Sequence, residues 1–197
     1  MDVPSIRKNR YFCILVDDET CYLWFLGCAK KSDFTEWFTH LDTLFTNHYG
    51  THTKILCMDH GGEYVNNTLE SYCAENGIVL ELTVPHTLEQ NGVTERSNRR
   101  ILDKGHTLLK DTSAPNFLWA HALVTAMYAI NRAVSSTAGG VTPFEVFFGW
   151  RPDISHMRVW FSDVFAHCLK DLGAKKLGEQ GHCVKFLGYL QNSSGYM

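Results

Sequence analysis

Tyr11 to Asp17 (YFCILVD) and Tyr22 to Ala29 (YLWFLGCA) are two apolar runs separated by the polar DDET. Runs of that length broken by a short polar turn predict two paired strands. From Ser32 the period changes. Phe34, Trp37, Phe38, Leu41, Leu44 and Phe45 recur at helical spacing behind a Ser32/Asp33 cap, so an amphipathic helix is expected to run to about Gly50. Lys54 to Met58 reads as a short buried strand. A helix from about Asn67 to Asn76, stopped by Gly77, leads into a further strand over Ile78 to Thr83. Pro85 to Gly92 has the composition of a loop. Two longer helical patterns follow, from about Val93 to Leu109 and from Asn116 to Arg132, the second opening behind Pro115. After Gly139-Gly140 the character changes to a short TPFEVFFGW segment and then strand-like stretches at Met157 to Leu169 and Cys183 to Leu190. This order predicts an α/β domain over residues 1–153 followed by a small β region over 154–197.

At 197 residues there is room for one ordinary domain with a small appendix, and 45% hydrophobic against 20% charged residues is the balance of a chain that buries a core. No apolar run reaches the roughly 18 residues that a membrane span requires, and Met1 to Arg10 lacks the apolar stretch of a secretory signal. Seven cysteines without a C-x-x-C pair predict reduced thiols inside a cell. His48 and His52, spaced H-x-x-x-H, suggest zinc, but with no cysteine pair beside them a surface histidine pair is the better reading. The net charge of -3 gives no global sign of a polyanionic partner. Locally the picture differs: from Thr94 to Lys110 five basic residues (Arg96, Arg99, Arg100, Lys104, Lys110) face two acids, Glu95 and Asp103.

Two acids stand out for their position. Asp59 follows a predicted strand directly and precedes Gly61-Gly62, at the kind of sheet rim where α/β proteins place ligands. Glu95 opens a helix further on, with 35 residues between the two. Paired carboxylates at such a rim suit hard divalent cations, which assist phosphoryl transfer. Spacing alone leaves both as ordinary solvated acids among 21. The helix that carries Glu95 is equally open to two readings, a solvated face or a surface that holds DNA phosphates.

The stretch PHTLEQNGVTERSNR, Pro85 to Arg99, resembles the P-[YH]-T-P-x-Q-N-G-V-x-E-R-x-N-R signature of copia-type retrotransposon integrases. Upstream, MDHGGEY (Met58 to Tyr64) is similar to the family's S-D-N-G-G-E-[FY]. Downstream, FLWAHALVTAMYAINR (Phe117 to Arg132), TPFEVFFGWRP, HMRVW and FLGY (Phe186 to Tyr189) resemble the helix and small barrel that follow the core. The likeness runs along nearly the whole chain. It departs at His60, at Leu88 and Glu89 where Pro and Gln are usual, and at Phe161 where Gly is usual.

The resemblance implies an RNase H-like α/β fold with strand order 3-2-1-4-5 and an incomplete SH3-like β-barrel after it. It implies DNA end processing and strand transfer on Mg2+ or Mn2+, with Asp59 and Glu95 as the second and third acids of a D-D-E triad and both as metal ligands. Asn91 and Gly92 match a flexible catalytic loop, and Gln90, Asn91, Arg96, Asn98 and Arg99 match DNA contacts. Partners would be double-stranded DNA and further copies of the chain, with the nucleus as the place of action. The first acid belongs to an H-x-D-x-x-G-P-M strand, and the chain matches from that Met onward, so the central strand and the first acid are expected to be missing. Asp17 also ends a strand, but the resemblance maps its strand onto the second of the sheet. Marginal folding follows unless Asp2 to Arg10 fills the gap. A decayed or domesticated nucleic-acid-binding module without catalysis is the alternative.

Overall fold

The apolar run YFCILV forms β1 (Tyr11–Val16) and LWFLGC forms β2 (Leu23–Cys28), an antiparallel pair in register from Tyr11↔Cys28 to Val16↔Leu23. The computed structural model describes residues 1–50, 52–58, 66–82, 88–134, 139–167, 181–190 and 195–197, and at 88–91 and 93 the backbone only. Helix α1 (Asp33–Tyr49) starts where Asp33 Oδ2 accepts from the Ala29 and Lys30 N–H groups, and ends at Gly50 in the left-handed conformation. Strands β3 (Ile55–Met58) and β4 (Val79–Leu82) pair in parallel, as a β-α-β connection through α2 (Asn67–Glu75) requires. Helix α3 (Leu88–Asp111) begins about a turn earlier than composition suggests, because Leu88, Glu89 and Gln90 all favour helix and continue it back through Gly92.

The chain divides into two compact units within α3. One comprises Met1–Asp18 and Leu23–Arg100, the other Glu19–Tyr22 and Ile101–Met197. In the first unit the helical face predicted from Phe34 and Phe38 does meet the strands. Phe34, Phe38, Leu56, Leu69, Cys73 and Ile78 form a buried cluster, against which Cys13, Leu15 and Leu26 of one strand pair and Met58 and Leu80 of the other are packed. Yet among the described residues β1 pairs only with β2 and β3 only with β4. Asp2 to Arg10 do not supply a strand between them. Their backbone turns back on itself through Ser5 N–H to Asn9 O and Lys8 N–H to Ser5 O, and only Arg10 extends the ladder, to Cys28 O.

In the second unit a 3-10 turn (Asn116–Leu118) leads into α4 (Trp119–Arg132), followed by α5 (Pro143–Phe148) and an antiparallel hairpin of β5 (Asp163–His167) and β6 (Gly181–Lys185). Gly105 of α3 lies so close to α4 that a Cβ would meet Leu123 Cδ2 at 2.4 Å, which accounts for a glycine inside a helix. The Arg132 guanidinium stacks on Tyr128 (3.4 Å) and Phe144 (4.6 Å), tying α4 to α5. FLGY packs on the same helices: Trp160 Nε1 donates to Leu187 O at 3.0 Å, and Tyr189 stacks on Tyr128 at 4.1 Å. The expected strand from Met157 is shorter than predicted. Phe161 sits at φ 62°, in the left-handed region, and breaks the extended run. That is the position where the resemblance has glycine, so Phe161 carries a backbone cost of about 1 to 2 kcal/mol that a glycine would avoid. The described part of 154–197 holds this one hairpin and an isolated bridge between Tyr189 and Tyr196.

Among the described residues Asp42 is the one charged residue in the core of the first unit, and its side chain is fully buried. It accepts from the Thr53 backbone N–H at 2.6 Å, from His52 Nδ1 at 2.7 Å and from the Tyr72 hydroxyl at 2.9 Å. Three separate pieces of chain, α1, the entry to β3 and α2, thus meet on one carboxylate. Burial alone would raise its pKa. The hydrogen bonds from His52, Thr53 and Tyr72 outweigh that and hold it below the usual value. A depressed folded-state pKa contributes stability above the unfolded value of about 3.9 and loses it as pH falls through the folded value. Asp42→Ala, which strands three donors, is expected to cost about 3 kcal/mol in urea denaturation. Asp42→Asn should flatten the loss of stability below about pH 4 relative to the parent chain.

Candidate functional site

Strand β3 ends at Met58, whose side chain packs on the core, and the chain next reaches Asp59, which lies outside the described residues. The structure is described again at Asn66, the N-cap of α2. Its Oδ1 accepts from Leu69 N–H at 2.8 Å and its Nδ2 donates to Thr35 Oγ1 at 3.0 Å, so the far end of the Asp59 segment is fastened both to α2 and to α1. The near end is fastened by the parallel ladder, with Met58 opposite Leu82.

Glu95 lies about two turns into α3 rather than at its start, and its side chain is exposed. Arg96 and Arg99 are exposed as well, and Asn98 is half-buried. The Arg96 guanidinium folds back over Gly92, where an added Cβ would meet Nη1 at 3.5 Å. Gln90 and Asn91 belong to the helix by their backbone, while their side chains lie outside the described residues. Asn91 and Gly92 are therefore helical here, not the loop that composition predicts. Arg100 and Lys104, exposed one and two turns beyond Arg96, extend a basic row that the sequence counted without singling out. None of Arg96, Arg99 and Arg100 has a carboxylate partner within ion-pair distance among the described residues.

The donor chemistry suits a hard cation only in part. Glu95 offers an accessible carboxylate oxygen, the ligand type that Mg2+ and Mn2+ take. Among the described residues no group of three or more His, Cys, Asp or Glu side chains could hold a metal. His52 is held by Asp42 and Thr46 through Nδ1, so it belongs to the polar network around that carboxylate and not to a loose surface pair with His48. No described helix is long and apolar enough to cross a membrane.

The fold is that of a retroviral-type integrase catalytic core, of the RNase H-like α/β class. The catalytic core domain of BIV integrase superposes over 75% of this chain and 90% of its own with a TM-score of 0.54, at 18% sequence identity. The chain has its homologues among copia-type retrotransposon Pol polyproteins. It is 34% identical over 196 residues to the Pol polyprotein from transposon TNT 1-94 of Nicotiana tabacum, and 33% and 34% identical over 195 residues to those from transposons RE2 and RE1 of Arabidopsis thaliana. These matches take in 99 to 100% of the chain but only 13 to 15% of the relatives' length. A Ty1 Gag-Pol polyprotein of Saccharomyces cerevisiae matches 57% of the chain at 31% identity. No protein-family model matches.

Loss of the Asn66 cap removes one bond to α2 and one to α1. Asn66→Ala is expected to destabilise the chain by about 1 to 2 kcal/mol in urea unfolding. Asn66→Asp, which keeps the acceptor for Leu69 N–H, should recover part of that loss.

Proposed function

We propose that the chain is the part of such a polyprotein that carries two of the acids for integrating DNA, Asp59 and Glu95, and that it acts by metal-dependent end processing and strand transfer. The alignment of the whole chain with copia-type Pol polyproteins carries this reading, together with an exposed Glu95 on a helix whose neighbouring side chains are basic. A bound Mg2+ or Mn2+ would supply charge stabilisation at the phosphoryl oxygens and an activated attacking hydroxyl. Asp59 and Glu95 are assigned as its ligands.

The remaining work falls to the helix. Arg96, Arg99, Asn98, Gln90 and Asn91 are assigned to the DNA, with the arginines holding phosphates and so fixing register without reading sequence. The exposed arginines suit that role because none has a carboxylate partner within ion-pair distance among the described residues. Residues 154–197 are assigned to the start of an SH3-like β region after a core over 1–153. Assembly into a homo-oligomer on DNA, in the nucleus, completes the proposal.

With two acids of a three-acid set and no strand between β1 and β3 among the described residues, the 197-residue chain is proposed to be inactive alone. Strand-transfer assays with labelled DNA ends and Mg2+ test this directly. A form extended upstream by a segment reading H-x-D-x-x-G-P should join ends, the 197-residue form should not, and Glu95→Gln should return the extended form to background. Joining by the 197-residue form would overturn the assignment of a missing acid. If neither form joins ends but both bind DNA, the non-catalytic binding module is the correct reading. In titrations across salt, Arg99→Ala is expected to weaken binding evenly across sequences and to reduce the slope of log K against log salt by about 1.

A further inference from the structure

One end of the β1–β2 hairpin is basic. Arg7, Lys8 and Arg10 lead into β1, Lys30 and Lys31 follow β2, and Arg10 N–H donates to Cys28 O at 3.0 Å, so the two segments leave the ladder side by side. The Lys31 ammonium lies 5.7 Å from the centre of the Tyr11 ring, across the same pair of strands. Two acids share these segments, Asp2 and Asp33, and Asp33 is engaged in starting α1 through the Ala29 and Lys30 N–H groups. Asp17 and Asp18 stand at the hairpin's other end, so charge is sorted along its length. Arg7, Lys8, Arg10 and Lys30 are exposed, and none has a carboxylate within ion-pair distance among the described residues.

The backbone carries strain to hold one of these charges. Lys8 sits at φ 62°, in the left-handed region that side chains disfavour. Its turn is fastened by Lys8 N–H to Ser5 O at 2.7 Å and Asn9 N–H to Ser5 Oγ at 3.1 Å, and it seats Asn9 against Gly27, where a Cβ would meet Nδ2 at 2.6 Å. Glycine would take the Lys8 conformation freely; what lysine adds there is an exposed charge. The place of the cluster gives that charge a use. Asn66, where the chain is described again after Asp59, bonds to Thr35 in the first turn of α1, the helix that Lys30 and Lys31 lead into. The segment that carries Asp59 is thus fastened at the basic end of the hairpin. We propose that Arg7, Lys8, Arg10 and Lys30, with Lys31 beside them, form a second surface for the phosphate backbone of double-stranded DNA, on segments other than α3. The proposal rests on the DNA-joining function assigned above. Cations gathered without internal partners repel one another, and a polyanion offsets that while setting register and not sequence.

The test is titration of the 197-residue chain with labelled DNA duplexes of unrelated sequence across a salt series. A triple variant, Arg7→Ala with Lys8→Gly and Lys30→Ala, is expected to bind every duplex more weakly and to reduce the slope of log K against log salt by about 2 to 3. Lys8→Gly alone should reduce it by about 1 with a urea midpoint no lower than the parent's, which separates the charge from the fold. On the unsubstituted chain, duplex DNA should shield Lys8 and Lys30 from an amine-acetylating reagent, read by peptide mass spectrometry. Arg99→Ala, titrated in parallel, keeps the two readings apart. If it weakens binding while the triple variant binds as the parent does, and Lys8 and Lys30 are acetylated equally with and without DNA, the hairpin surface is wrong and the function proposed above stands. If the parent binds no duplex even at low salt, both fall.

Discussion

What holds the first unit together is a single apolar layer shared by two strand pairs that have no hydrogen-bonded ladder between them among the described residues. In a continuous sheet, backbone bonds would carry cohesion from strand to strand. Here that task passes to side chains: Phe38 and Leu69, both fully buried, and the cluster around them reach β1 and β2 on one side and β3 and β4 on the other. Such packing is strong but weakly directional, so orientation needs a polar element. Asp42 supplies it, since three hydrogen bonds at 2.6 to 2.9 Å leave the entry to β3 and the face of α2 little freedom about α1.

The strands show the same constraint from outside. A parallel pair is ordinarily buried on both faces. In β3 and β4, Leu56 is buried, whereas Ile55 and Val79 are about half exposed at 52% and 54%. β1 is apolar at every position, yet none of its residues is fully buried. β1 and the β3–β4 pair thus have sequences suited to the interior of a wider sheet than the two-stranded pairings found among the described residues.

Much of the architecture could be read from the sequence because the period of the apolar residues changes sharply at Ser32, at Asn116 and around the short strands. The start of α3 could not, since Pro85 and Gly92 look like loop residues and only Leu88 to Gln90 argue for helix. β5 was read too long because an apolar run says nothing about a left-handed Phe161. Asp42 was legible in principle: it lies four residues after Phe38, on the buried face of α1, where a carboxylate demands partners. Its partners come from His52 and Tyr72, which the pattern of a single helix does not reach. Glu95 and its arginines were legible by motif, and the structure adds that they are exposed. Whether Asp59 comes within reach of Glu95 rests on residues outside the described part of the chain.

The arrangement around Glu95 also answers an electrostatic difficulty in the proposed chemistry. Carboxylates that bind a cation beside DNA must sit close to phosphates of the same sign, and at a few ångströms that repulsion is substantial even when screened. A helix that presents Arg96, Arg99 and Arg100 around one exposed acid lowers the cost of bringing a polyanion near before any metal is counted. With no carboxylate within ion-pair distance of those side chains among the described residues, the proposed contact with DNA would release counterions without breaking ion pairs there. The same solvated charges add little to folding, which this helix serves instead through Ile101, fully buried. Under the proposal, the charged face is explained by the polyanion it meets and not by what it stabilises within the chain.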